Sequence, residues 1–109
     1  MSDKHAVVIG QTIEVSRSAL RELAQRTYIR RLLLFGSAAR GELKSGSDID
    51  LLVEFESGNA PSLSGIVEIQ EAFTKLFHGR KVDMATPSIL RNPFRRRAIE
   101  KDMKELYAA

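Results

Sequence analysis

Apolar and polar positions along the chain follow two periods, and the changes of period mark its elements. From about Val15 to Thr27, Leu20, Leu23 and Ala24 recur at helical spacing, with Ser16 or Ser18 placed to cap the start. Tyr28 to Phe35 reads as a strand, and its unbroken Leu32-Leu33-Leu34-Phe35 predicts burial on both faces. Gly36 to Arg40 is a turn, Gly41 to Ser47 a polar loop, and Asp48 to Phe55 a second strand, closed by Ser57-Gly58-Asn59-Ala60-Pro61. A helix over about Leu63 to Phe77 puts Leu63, Ile66, Ile69 or Gln70, Phe73 and Phe77 on one stripe, with Gly79 as its C′ residue. Lys81 to Ala85 is a third, short strand. Thr86-Pro87 opens a short helix over Ser88 to Arg91, and Asn92-Pro93 opens a last one, with Phe94, Ala98 or Ile99, Met103 and Leu106 inward and its arginines outward. The apolar run His5 to Gly10 fits a β addition, a dimer contact or an arm.

The second strand carries the chemistry. Successive side chains of a strand alternate faces, so Asp48 and Asp50 share one face while Ile49, Leu51, Val53 and Phe55 share the other. Two carboxylates side by side repel, and aspartate is depleted in strands. A hard divalent cation resolves the conflict, because carboxylate oxygens are its preferred ligands. Upstream, Gly36-Ser37 ends an apolar run, where a glycine lets the backbone turn close to a ligand. A short helix beginning at Ser37 would aim its free N–H groups and the serine hydroxyl at a phosphate. Metal-binding carboxylates beside phosphate donors suggest a nucleotide–Mg²⁺ site.

Gly36-Ser37, ten residues, then Asp48-Ile49-Asp50, within Leu34-Phe35-Gly36-Ser37-Ala38-Ala39-Arg40-Gly41 and Ser47-Asp48-Ile49-Asp50-Leu51-Leu52-Val53, resembles the signature of the DNA polymerase beta nucleotidyltransferase superfamily. Within it the chain is most similar to the minimal nucleotidyltransferase (MNT) antitoxins of HEPN/MNT toxin–antitoxin pairs. The resemblance implies an α+β fold, a palm-like αβαβαβ core with a small mixed sheet covered by helices, occupying residues 1–109 as a single domain. It implies that Asp48 and Asp50, joined by Asp83, bind two Mg²⁺ ions. By itself Asp83 reads as an edge-strand charge; the resemblance makes it the third ligand or a general base. Gly36 and Ser37 would hold the triphosphate of ATP. Arg40 is read as a further triphosphate contact, with a pair to Glu42 as the alternative, and Ser47 as an Asp-orienting or turn residue of the nucleotide site. The implied activity is transfer of AMP to a hydroxyl, a tyrosine by resemblance, of a partner HEPN-type RNase toxin. The rival is an antitoxin that masks its toxin by contact without catalysis.

Composition narrows the field further. With 109 residues and no cysteine, one core is expected and neither a disulfide framework nor a thiolate metal site is available. Absence of a signal-peptide pattern at Met1 to His5 and of an apolar run near membrane-span length sets the expectation of a cytoplasmic protein. Residues 1–90 hold eleven Lys/Arg and eleven Asp/Glu, and residues 91–109 six and three, so the formal charge of +3 sits in the C-terminal segment. Arg95-Arg96-Arg97 there reads first as the wet side of a helix, then as a partner dock. Nucleic acid is not expected, since no aromatic stacking platform accompanies the arginines. A P-loop run is absent, the Asp48-x-Asp50 pair lacks the remainder of an EF-hand loop, and His5 and His78 are not read as ligands. A homodimer or a hetero-oligomer is compatible with this reading.

Overall fold

The structure is a computed structural model that describes residues 6–9, 13–44 and 46–109. His5, with the rest of Met1 to His5, lies outside the described residues, as do Gly10 and Ser45. The elements run β1 (Val7–Ile9), β2 (Ile13–Val15), α1 (Arg17–Arg26), β3 (Ile29–Phe35), α2 (Gly36–Ala39), β4 (Ile49–Phe55), α3 (Leu63–Leu76), β5 (Val82–Ala85), a 3₁₀ turn (Pro87–Arg91), α4 (Pro93–Asp102) and β6 (Lys104–Ala108). The main sheet has the order β5-β4-β3-β6, with β4 and β5 parallel and the other pairs antiparallel. This is the small mixed sheet expected. A parallel pair needs a crossover, and α3 supplies it.

Both faces of the sheet are covered. Leu32 and Leu34 of β3 pair with Val53 and Leu51 of β4, so the four share a face. That face closes over the main core with Leu20, Leu23 and Ala24 of α1, Ile69 and Phe73 of α3, Phe77 and Val82. Leu33 and Leu52 point the other way and are buried together with Ile99, outside that core and beneath α4 and the 3₁₀ turn. The continuous apolar run of β3 thus serves two layers, as its lack of alternation predicts. A cavity of about 120 Å³ remains on this second face, lined by residues including Leu33, Leu52, Leu90 and Met103.

Helix ends follow local chemistry. Ser16 Oγ accepts from Ala19 N and Ser62 Oγ from Gly65 N, capping α1 and α3. At the far end of α3, Gly79 N donates to Thr74 O and His78 N to Lys75 O. This is the Schellman arrangement, and its left-handed C′ residue is His78 (φ 59°), one position before the glycine that the sequence suggests. The His78 ring also meets Glu14 O through Nε2 at 2.7 Å, tying β2 to the end of α3.

Of the three readings open for the apolar run near the N-terminus, a β addition, a dimer contact or an arm, the first holds: β1 pairs with β2 and buries Ile9 in the main core. Three expectations need correction. Leu63 and Phe94, assigned inward by periodicity, are 88% and 83% exposed, each in the first turn of its helix. Of the inward set on α4 only Ile99 is buried, and Ala98 is exposed. The last helix also stops at Asp102: Met103 is extended (ψ 144°), and Lys104–Ala108 joins the sheet beside β3. Among the described residues no helix is long and apolar enough to cross a membrane.

Candidate active site

The acidic residues meet at one end of the sheet. Asp50 is the second residue of β4, and its register partner on β5 is Asp83, so both side chains rise from the same face. Asp48 enters just before the strand, where Ile49 N donates to Lys81 O and so begins the alignment with β5. Asp48 Oδ2 stands 3.9 Å from Lys81 Nζ, a long and largely exposed pair. Asp50 is half-buried, Asp48 is partly exposed and Asp83 is exposed. Burial first, then the charges of Asp83 and Asp48, push the Asp50 carboxyl above its ordinary value, opposed by Arg95 and Arg40.

Gly36 completes this arrangement. It follows β3 at φ +73°, a conformation that glycine adopts without strain, and begins α2. A Cβ placed on Gly36 would lie 2.4 Å from Asp50 Oδ2, so the carboxylate packs directly against the glycine backbone. Phe35, opposite Asp50 in the β3–β4 register, is the N-cap, and Ser37 therefore lies inside the turn and is not its cap. The leading N–H groups of such a turn have no intrahelical acceptor, and Ser37 carries a half-buried hydroxyl beside them.

The two outer candidates are engaged elsewhere in this structure. Arg40 caps the end of α2 and donates from Nε to Glu42 Oε2 (3.1 Å) and from Nη1 to Asp102 Oδ2 (3.2 Å). These bonds, Glu42 first, hold its guanidinium above its usual range. Ser47 Oγ accepts from Lys44 N at 3.2 Å while Ser47 N donates to Lys44 O, which makes it a turn residue. One other residue went unrecognised in the sequence. Arg80 reaches from the α3–β5 connection onto this turn, and no periodicity marks it. Arg95 is exposed, as the wet face of a helix requires, and its charge also opposes the rise of the Asp50 carboxyl. Arg96 pairs with Glu100 along the helix.

The donor set suits a hard cation: three carboxylates, no thiolate or imidazole, and a glycine whose missing side chain leaves room for Asp50. Among the described residues no three such groups are drawn together tightly enough to hold an ion as the side chains stand. Asp50 and Asp83 are brought side by side; Asp48 acts on Asp50 from the strand entrance.

Comparison with known proteins gives this site a family. The nucleotidyltransferase domain model matches residues 16–106, and the chain belongs to that family. MJ1379 of Methanocaldococcus jannaschii is 39% identical over 95 residues, 87% of this chain and 94% of that protein. Protein adenylyltransferase MntA of Thermococcus cleftensis is 40% identical over 72 residues, 66% of this chain and 70% of its own. In fold the chain is also similar to a crystal structure of a toxin–antitoxin with AMP-PNP, at TM-score 0.65 and 18% identity over 87% of this chain and 75% of the other.

Proposed function

We propose that this protein is an antitoxin of the MNT type that transfers AMP from ATP to a tyrosine hydroxyl of a HEPN-type RNase toxin, releasing pyrophosphate. The acceptor oxygen forms a bond to the α-phosphorus as the bond to the bridging oxygen of pyrophosphate breaks. Asp48, Asp50 and Asp83 would hold Mg²⁺, two ions by resemblance, which when bound supplies positive charge to the attacking and leaving oxygens of the in-line displacement. The observation that carries the reading is the packing of Asp50 against Gly36 with Asp83 in register beside it, which supports bringing the two parts of the signature together with a third carboxylate.

Each residue has a task in this scheme. Gly36 and Ser37 offer N–H and hydroxyl donors to the β and γ phosphates. Burial first, and then the charges of Asp83 and Asp48, raise the Asp50 carboxyl, a strain that a bound cation would relieve, while Arg95 and Arg40 bring positive charge toward the same group. Arg40 would exchange its exposed pairs with Glu42 and Asp102 for a phosphate oxygen, a small loss because exposed ion pairs are weak. In this scheme the acceptor hydroxyl is presented by the toxin.

The test is incubation with labelled ATP, Mg²⁺ and a HEPN-type toxin. Label on the toxin, in whole AMP units by intact mass, is the expected result. An unlabelled but neutralised toxin would establish masking instead.

A further inference from the structure

We propose that Arg80 is the positioning residue for Asp48, locking the turn that delivers this carboxylate to the segment that delivers Asp83. The proposal rests on the metal-carboxylate reading above and concerns how the ligand set is held. Arg80 Nη2 donates to Lys44 O at 2.7 Å and to Ser47 O at 3.1 Å. Both acceptors belong to the turn already closed on itself by Ser47 N to Lys44 O and Lys44 N to Ser47 Oγ. Asp48 is the next residue. One position later, Ile49 N donates to Lys81 O. The consecutive residues Arg80 and Lys81 therefore grip the chain on both sides of Asp48, and Asp83 follows two residues beyond.

The grip is anchored in the core. Arg80 N donates to Phe77 O, and Phe77 is fully buried at the end of α3. Gln70 Nε2 donates to Val82 O at 2.6 Å, fixing β5 to the same helix. The turn is thus referred to α3 through one guanidinium. Arg80 Nε is buried and, among the described residues, has no partner. Burying an unpaired donor costs stability, so the side chain is a poor choice for stability alone and a good one for fixing two carbonyls in a plane. Groups that orient metal ligands from behind commonly set metal affinity as strongly as the ligands' own surroundings do.

The experiment titrates Mn²⁺ alone into the full chain, followed by water-proton relaxation, for the wild type, Asp50→Asn, Arg80→Lys and Arg80→Gln. Lysine and glutamine are both shorter than arginine and lack its planar fork, and glutamine also removes the charge. Expected is a loss of Mn²⁺ affinity of about tenfold or more in both Arg80 variants, with unchanged circular dichroism. Wild-type affinity in a folded Arg80→Lys or Arg80→Gln overturns the proposal. Failure of both variants to fold also overturns it, since Arg80 is then a stability residue. Failure of the metal reading looks different: the wild type binds no Mn²⁺, or Asp50→Asn binds it equally well.

Discussion

Asp50 and Asp83 are register partners across the parallel pairing of β4 and β5, two carboxylates on adjacent strands with a third, Asp48, acting on Asp50 from the strand entrance. Desolvation and these charges hold the Asp50 carboxyl above 3.8, so the folded protein keeps that proton to higher pH than the unfolded chain. The native state then binds more protons, and the Asp50 contribution to stability falls as pH rises from 3.8 through the raised folded value and stays low above it. Without metal, Asp50→Asn should melt above the wild type at neutral pH and lose that advantage below 3.8. Added Mg²⁺ should reverse the order, contributing about 2.7 kcal/mol to the wild type at a hundred times its Kd. Thermal melts across pH, with and without Mg²⁺, measure both effects.

Gly36→Ala should separate strain from chemistry. A β-carbon at φ +73° costs about 1–2 kcal/mol, which denaturant unfolding would register. The 2.4 Å contact falls on the end of the Asp50 side chain, which can turn aside cheaply. Stability should therefore drop only by the backbone cost, while transfer falls by about 10²-fold as the carboxylate leaves its place.

Much of this site was legible because it is local. The strand–turn–strand carrying Gly36, Ser37, Asp48 and Asp50 reads from alternation and glycine placement, and each of its elements lies where the pattern puts it within a residue or so. The C-terminal end was not legible in this way. Ile99, Met103 and Leu106 keep helical spacing, but β3 presents a second edge that Lys104–Ala108 pairs with, and long-range pairing overrides spacing. Arg80 escaped for a related reason: what it does is set by Lys44 and Ser47, far along the chain.

Ile99 is the one described residue of α4 that is buried, on the helix that packs against β3. Ile99→Ala should cost about 2–5 kcal/mol, toward the lower end because the neighbouring cavity already leaves room to relax. Since Arg95 and Asp102 lie on the same helix as Ile99, the variant should also weaken ATP binding, and hydrogen exchange should locate the opening in α4 rather than in the main core.

The last prediction separates catalysis from masking. Asp50 packs against Gly36 inside the site, so Asp50→Asn changes the charge there and leaves the outer surfaces of the molecule as they are. A catalyst needs only a passing encounter, because one molecule modifies many toxins in turn. Masking needs a complex that lasts as long as the protection does. Under the proposed function, Asp48→Asn and Asp50→Asn bind the toxin yet fail to protect cells, and toxin recovered from wild-type cells stays inactive after this protein is removed. Under masking, both variants protect normally and the released toxin regains activity. Intact mass of the toxin from each strain decides between them: AMP-bearing toxin beside the wild type and bare toxin beside both variants is the expected result, and a bare, harmless toxin beside the wild type would refute transfer.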